Sequence, residues 1–581
     1  MGLQAKSLSL RRGKVQFQLH WICSIIPNSC RARSNPAPRV SAMFPCKDYE
    51  IDGGFAMKLA NYVNGQWREG AGGGEIIVDP VTGDELASIS SQGIDLEAAL
   101  QFARSLGGPA LRQLTYTQRA EMLAKIADLL AANRDEYFRI SLLNLGANQA
   151  DASFDVDGAI YTIKYYAKIG RALAEGKMLK EGAVLPLSKT GAFVGQHFLM
   201  PTKGAGVFIN AFNFPAWGLC EKAAPALLSG VPIVVKPASP TAWLTQRMVE
   251  DIVKAEILPP GAISIVCGSA RELLAHVREE DVVSFTGSAD TAARIRSHAN
   301  VLRRSVRVNI EADSINSAIL GPDVASGTDL FDLLVKEVVR EMTLKAGQKC
   351  TAIRRVLVPH KQLQVFGEAV AARLSSMKVG NPRNLEVKVG PVVNKAQQAS
   401  CLEGLRKLKE ECSILFGGDQ HFQPVDADAQ KSAFVQPTLL SCKLGLDAKY
   451  VHDVEVFGPV ATLIGYDGLG DLVAIARRGL GSLVVSVFSN DAEFIRQAVM
   501  GIGDLHGRVL VVDSTVGNQH TGHGNVVPAC LHGGPGRAGG GEELAGLRAL
   551  LLYHRRLVVQ GPANCITDLS GLCTDASLLH A

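Results

Sequence analysis

The sequence predicts an α/β chain built around a parallel, doubly wound sheet. Three observations point to it. Between residues 204 and 311, five short Val- and Ile-rich segments alternate with helical patterns. The loops joining them are short, as right-handed crossover connections require. Polar segments follow these strands at their carboxyl ends, where such sheets bind ligands.

Along the chain, residues 1–56 differ from the rest. They carry eight Lys/Arg against three acids and are rich in Ser and Pro. This composition fits a transit peptide, or disordered residues preceding a true start at Met57. From Met57 the pattern is that of a folded domain. Asn64-Gly65 between Tyr62, Val63 and Trp67 predicts a tight hairpin, and Asp79-Pro-Val-Thr-Gly83 predicts a turn between Ile76–Val78 and Leu86–Ile89. Met122, Leu123, Ile126, Leu129 and Leu130 give one apolar helical face from about Thr117. The alternating series reads strand Gly206–Ile209, helix Ala216–Leu228, strand Val231–Val235, helix Thr241–Ala255 and strand Ile263–Val266. It continues with helix Arg271–Val277, strand Val282–Phe285, helix Asp290–His298 and strand Val306–Ile310. Phe331–Thr343 is the next helix and Val356–Val358 the next strand. Residues 517–546, dense in Gly, read as loop; Leu550–Gln560 reads as a late strand, and the last twenty residues carry no pattern.

With 581 residues the chain has room for two or three cores. Hydrophobic residues at 47% and charged residues at 20% describe a globular protein. The net charge of +4 is small and sits in the N-terminal segment, which gives nucleic acid no footing as a partner. No apolar run approaches the roughly 18–20 residues of a membrane span. The twelve cysteines lack CxxC pairs, so neither structural zinc nor a disulfide framework is expected. A catalytic thiol fits a reducing, cytoplasmic setting.

Four segments carry chemistry: Asn210-Ala211-Phe212-Asn213-Phe-Pro215, Asn309-Ile-Glu311, Gly347-Gln-Lys-Cys350 and Glu455-Val-Phe457-Gly-Pro459. Together they supply a nucleophile, an amide donor, a base and a further carboxylate. Cys350 is the candidate nucleophile, against the commoner inert buried thiol. The Asn213 amide is the candidate oxyanion donor, against a helix cap. Glu311, at a strand end in a dry cleft, is the candidate base, with a raised pKa expected from burial. Thr286-Gly287-Ser288 opens a helix whose free N–H groups suit a pyrophosphate, and Thr291 falls in its first turn. Two signals are set aside. Gly534-Pro-Gly536-Arg-Ala-Gly539 matches GxGxxG but lies far from the parallel strands. His520, His523 and His532 lack a carboxylate or Cys at metal-site spacing, so they read as loop histidines and no metal is expected.

In their order and spacing, Phe212-Asn213-Phe214-Pro215, Lys236-Pro237-Ala238, Phe285-Thr286-Gly287-Ser288, Gly347–Cys350 and Glu455–Pro459 resemble the aldehyde dehydrogenase family over about Met57 to Gln560. The runs Glu311-Ala-Asp-Ser314, Glu337–Thr343 and His532–Glu543 resemble its branch acting on CoA-linked semialdehydes from aromatic ring cleavage. The resemblance implies a Rossmann-like cofactor domain (57–187 and 201–311), a catalytic α/β domain (312–545), a small β oligomerisation arm (188–200 and 546–560) and a tail (561–581). It also implies a homodimer. It gives Lys236 to the adenosine ribose, and Glu455 and Phe457 to the nicotinamide ribose and ring. Ser239 stands where many NAD-dependent members have Glu, which favours NADP, with NAD possible. The family usually follows the base with Leu-Gly-Gly; here Ala312-Asp313-Ser314 follows. The implied activity is oxidation of a CoA-thioester semialdehyde to an acid through a cysteine thioester. The alternatives are another ring-cleavage semialdehyde or a free aldehyde, a CoA-acylating enzyme, and a catalytically silent structural relative.

Overall fold

The computed structural model describes residues 57–576 apart from 270, 420, 421 and 518, so the readings made for 1–56 lie outside the described residues. The hairpin forms as the sequence predicts. Val63 pairs with Gln66 across Asn64 (φ 53°) and Gly65 (φ 75°), both left-handed. The apolar-faced helix runs Tyr116–Ala132 and is opened by a reciprocal Thr115/Gln118 capping box.

The five predicted strands form one sheet in the order Arg307–Glu311, Val282–Thr286, Gly206–Ile209, Ile233–Lys236, Ile263–Ile265, with the N-terminal hairpin on the far edge. All four contacts among the five are parallel. Buried clusters cover both faces, one around Leu123, Tyr166 and Leu227, the other around Val207, Val283 and Ile310. A second seven-stranded sheet is ordered Cys412–Phe416, Thr438–Cys442, Val460–Tyr466, Ile353–Pro359, Asn316–Leu320, Ser482–Phe488, His506–Val512. Glu311 ends a strand of the first sheet and Asn316 begins a strand of the second. The four residues between them carry the chain from one sheet to the other.

Several local readings are corrected. Arg271–His276 is a 3-10 helix rather than an α-helix. The segment read as loop over 517–546 contains an antiparallel pair, Leu531–Gly533 with Glu542–Leu544. Its glycines conceal the strand signal because they serve close packing. A Cβ at Gly539 or Gly541 would lie 2.4 or 2.3 Å from the Ile310 carbonyl oxygen, and one at Gly536 would lie 2.0 Å from that of Leu480. The late strand is His554–Pro562, because Gly546–Tyr553 winds into a 3-10 helix. It pairs along its length with Phe193–Pro201 in a four-stranded sheet whose other members are Met178–Pro186 and Cys573–Asp575. The tail read as patternless therefore contributes helix Ala563–Gly571 and an edge strand.

The close approach at Gly541 sets an expectation. Gly541→Ala forces the Ile310 backbone to shift, and overpacking of this kind costs about 1–3 kcal/mol. The denaturation midpoint should fall accordingly, with kcat falling as well because Glu311 is the next residue. A Gly541→Ala protein as stable and as active as the parent would contradict this account.

Candidate active site

The Cys350 loop begins where helix Asp329–Thr343 ends. Lys345, Ala346 and Gly347 are all left-handed, at φ 53°, 51° and 69°. Two of these are not glycine, so the surroundings must hold the turn. Asp151 accepts the Lys345 N–H at 2.6 Å, and the Lys345 ammonium lies 4.6 Å from the centre of the Phe214 ring and 3.9 Å from Asp155. Gly347 fits because a Cβ there would meet the Gly458 carbonyl oxygen at 2.3 Å.

The loop carbonyls are fixed by buried donors. Arg354 donates to Gly347 O at 2.9 Å and Lys349 O at 3.2 Å. Asn213 Nδ2 donates to Gln348 O at 3.0 Å, and Asn316 Nδ2 to Cys350 O at 2.8 Å. Lys349 is buried on both Glu341 oxygens, each at 2.7 Å. Asn213 is not the cap of the following helix: Ala216 holds that position and makes no side-chain cap. Its amide lies against the Cys350 loop instead.

Cys350 and Glu311 line one cavity of about 270 Å³ with Asn210, Ala211, Asn213, Trp217 and Thr286. His532, read from the sequence as a loop histidine, is in the same place. It is buried on strand Leu531–Gly533 against the Trp217 ring, and its Nε2 is 2.9 Å from Glu311 Oε2. One donor atom from each of Cys350, Glu311 and His532 lies within 4.8 Å of the others. Behind Glu311, Lys222 Nζ donates to Glu221 at 2.6 Å and Glu543 at 3.0 Å. Ser284 and Asn309 hold the other Glu543 oxygen at 2.8 and 3.1 Å. Lys222, Glu221, Glu543 and His532 went unrecognised in the sequence. The one available signal was the run His532–Glu543, taken there only as resemblance.

These neighbours overturn the expected pKa of Glu311. Burial pushes the carboxyl up, but the imidazole of His532, the Lys222 charge and the Cys350 thiol outweigh it and hold it at about 2. The thiol of Cys350 is pushed well up by burial and by Glu311 beside it. At rest the pair is therefore a thiol facing a carboxylate.

Further candidates flank this centre. Lys236, at its strand's end, is pulled down by burial while the Glu75 carboxylate counters it; Ser239 opens a short 3-10 turn next to it. Gly287 N–H donates to Glu311 O at 3.1 Å. The helix mouth is not free as expected. Ser288 Oγ accepts the Thr291 N–H at 3.3 Å, and Asp313, on the chain just past Glu311, accepts the Ala289 N–H at 2.9 Å. Glu455 is pushed up to about 7, chiefly by burial, with Arg354 countering; its Oε2 accepts the Ser314 N–H at 3.2 Å. The rings of Phe212 and Phe457 meet edge to face at 5.7 Å. Among the described residues, Asn210 Oδ1 and Nδ2 and Thr286 Oγ1 are buried without partners. They lie on the cavity wall, so a polar cofactor entering from the strand ends would find unused hydrogen-bonding groups. This fits a dinucleotide.

Known proteins resemble this chain in sequence and in fold. The profile of the aldehyde dehydrogenase family matches residues 67–526. The chain is 67% identical over 479 residues to 3,4-dehydroadipyl-CoA semialdehyde dehydrogenase of Aromatoleum evansii, covering 82% of this chain and 93% of that one. It is 28% identical to alpha-ketoglutaric semialdehyde dehydrogenase of Bacillus subtilis (strain 168), covering 74% of this chain and 85% of the relative. In fold it is similar to an aldehyde dehydrogenase from Bacillus cereus solved as an NAD+ complex. The TM-score there is 0.75 at 24% identity, covering 87% of this chain and 97% of that one. Among the described residues no helix is long and apolar enough to cross a membrane.

The His532 contact makes a prediction. His532 lowers the Glu311 carboxyl, so His532→Ala should raise it and bring an acid limb of kcat/KM up in pH. In the parent no limb from Glu311 should appear between about pH 5 and 9, since that carboxyl is held at about 2. Superimposable pH profiles for the two proteins would remove His532 from this role.

Proposed function

The chain belongs to the aldehyde dehydrogenase family and is an aldehyde-oxidising oxidoreductase, and from that premise we propose that it oxidises 3,4-dehydroadipyl-CoA semialdehyde to the corresponding acid, with NADP as acceptor. The observation carrying the mechanism is the meeting of the Cys350 thiol and the Glu311 carboxylate in one cavity. The substrate rests on the 67% identity to the Aromatoleum relative named for it.

Glu311 takes the proton of the thiol, and the sulfur adds to the aldehyde carbon. The Asn213 amide, beside Gln348 O, and the Cys350 N–H receive the resulting oxyanion. A bound NADP would supply the hydride acceptor for that carbon, and loss of the hydride would leave a thioester on Cys350. Glu311, having shed its proton, then takes one from water, which attacks the thioester and frees the acid. Lys222 and His532 keep Glu311 ionised between these steps.

Asn210, Ala211, Phe212, Lys236, Ser239, Thr286, Gly287, Ser288, Thr291, Glu455 and Phe457 would hold the cofactor. Ser239 supports NADP because it places no carboxylate against a 2′-phosphate. A carboxylate base beside the thioester supports a free acid as product over transfer to CoA. The sheet joining Phe193–Pro201 to His554–Pro562 supports the arm, with this copy as half of a homodimer.

Cys350→Ala should abolish turnover. Glu311→Gln should accumulate an acyl-enzyme, seen as an added mass on the intact protein, and full turnover in that variant would remove Glu311 as the base. Asn213→Ala should lower kcat by about 100–1,000-fold if it is an oxyanion donor. The substrate reading is tested by NADPH formation from the CoA-linked six-carbon semialdehyde beside the same aldehyde lacking CoA. A higher kcat/KM for the CoA form, and for NADP over NAD, is expected; equal rates for the two aldehydes would leave a broader semialdehyde oxidase.

A further inference from the structure

The Cys350, Glu311 and His532 side chains form a donor set with a property the dehydrogenase reaction does not use. They come from three separate parts of the chain: a turn, the end of a parallel strand, and an antiparallel pair. Among the described residues, His532 Nε2 and Glu311 Oε1 are buried with no hydrogen-bond partner, although the imidazole nitrogen is only 2.9 Å from the other Glu311 oxygen. That nitrogen and Glu311 Oε2 form an ion-pair contact, which leaves the second carboxylate oxygen unengaged. An unengaged carboxylate oxygen in a dry site is costly.

A single cation would satisfy both atoms and the thiol at once. We propose that Cys350 Sγ, His532 Nε2 and Glu311 form a three-ligand site for a borderline-soft divalent cation, Zn2+, whose binding reversibly switches the enzyme off. Tetrahedral zinc with one sulfur, one nitrogen and one oxygen ligand separates its donor atoms by about 3.3–3.6 Å. The present separations, from 2.9 Å up to the 4.8 Å bound on the set, bracket that range. Small side-chain rotations therefore suffice, and the cavity lined by Cys350 and Glu311 can admit a water to the fourth position. Charge also favours a divalent ion. One thiolate, one carboxylate and a neutral imidazole neutralise +2 in a buried site, while Lys222 remains paired with Glu221 and Glu543. Thiolate and imidazole select zinc over magnesium or calcium, which want six or more oxygens.

Binding replaces the S–H bond by an S–Zn bond and releases the thiol proton, together with any proton carried on His532 Nε2, to solvent, with no change of oxidation state. The sulfur lone pair is then committed and no aldehyde can add. Cys350 is partly exposed, so the ion reaches the site through the substrate's own cavity.

The test is spectroscopic and independent of turnover, so its failure leaves the proposed reaction untouched. Metal-free enzyme is titrated with Co2+ as the probe. The expected result is a thiolate-to-cobalt charge-transfer band with tetrahedral d–d bands, at one equivalent, displaced by Zn2+. Zinc should also block alkylation of Cys350 and inhibit oxidation until a chelator is added. Cys350→Ala and Cys350→Ser should both lose the charge-transfer band. His532→Ala should lose the tetrahedral bands and weaken Zn2+ by more than the roughly 10–100-fold typical of losing a group behind a ligand. Octahedral cobalt bands without charge transfer would overturn the proposal. So would a charge-transfer band that survives in both Cys350 variants, which would place the metal on other cysteines.

Discussion

The site depends on one constraint: every carbonyl from Gly347 to Cys350 has a buried side-chain donor. Arg354, Asn213 and Asn316 supply them from the first residues of a strand in the second sheet, from the loop after a strand in the first, and from the strand that follows the crossing. With the carbonyls turned outward to these donors, the loop stays in a left-handed turn that Lys345 and Ala346 would not adopt alone. Loss of either sheet's contribution would release the strain and move the thiol. The Cys350 thiol is thus held by both halves of the molecule.

Charge is the second organising factor. Carboxylates of Glu221, Glu311 and Glu543 lie within 4.8 Å of one another with Lys222 among them. Burial pushes Glu221 well up, while His532 and Lys222 hold Glu311 down against its own burial. The base of the proposed reaction is therefore ionised by its neighbours, although burial alone would have neutralised it.

The departure from the usual residues after Glu311 also acquires a physical meaning. Asp313 closes onto the Ala289 N–H at the mouth of a helix, with Arg537 3.9 Å away, and Ser314 engages both Glu455 and Asn316. The residues crossing between the sheets thereby tie Glu311 to the helix mouth and to Glu455. The Gly-rich run beneath it follows from the same packing. Gly541 and Ala538 hydrogen-bond to the backbone on either side of Glu311 and cover an edge of the sheet. The glycines of its literal dinucleotide pattern are taken up by packing, Gly536 on the Leu480 carbonyl and Gly539 on that of Ile310.

The sequence by itself determined the first sheet and the hairpin at Asn64-Gly65, and it singled out Cys350, Glu311 and Asn213 as candidates. Each of these is encoded locally, in strand and helix periodicity, in turn residues and in short runs at strand ends. What lay beyond it were features that exist only between distant segments. His532 was indistinguishable from any histidine in a glycine-rich stretch until strand pairing with Glu542–Leu544 placed it against Trp217 and Glu311. The carboxyl of Glu311 was expected to be raised because burial can be guessed from a strand end, whereas the charges that lower it come from residues 89 positions before it and 221 after it. Electrostatics and close packing depend on distances in space, and only the tertiary structure sets those.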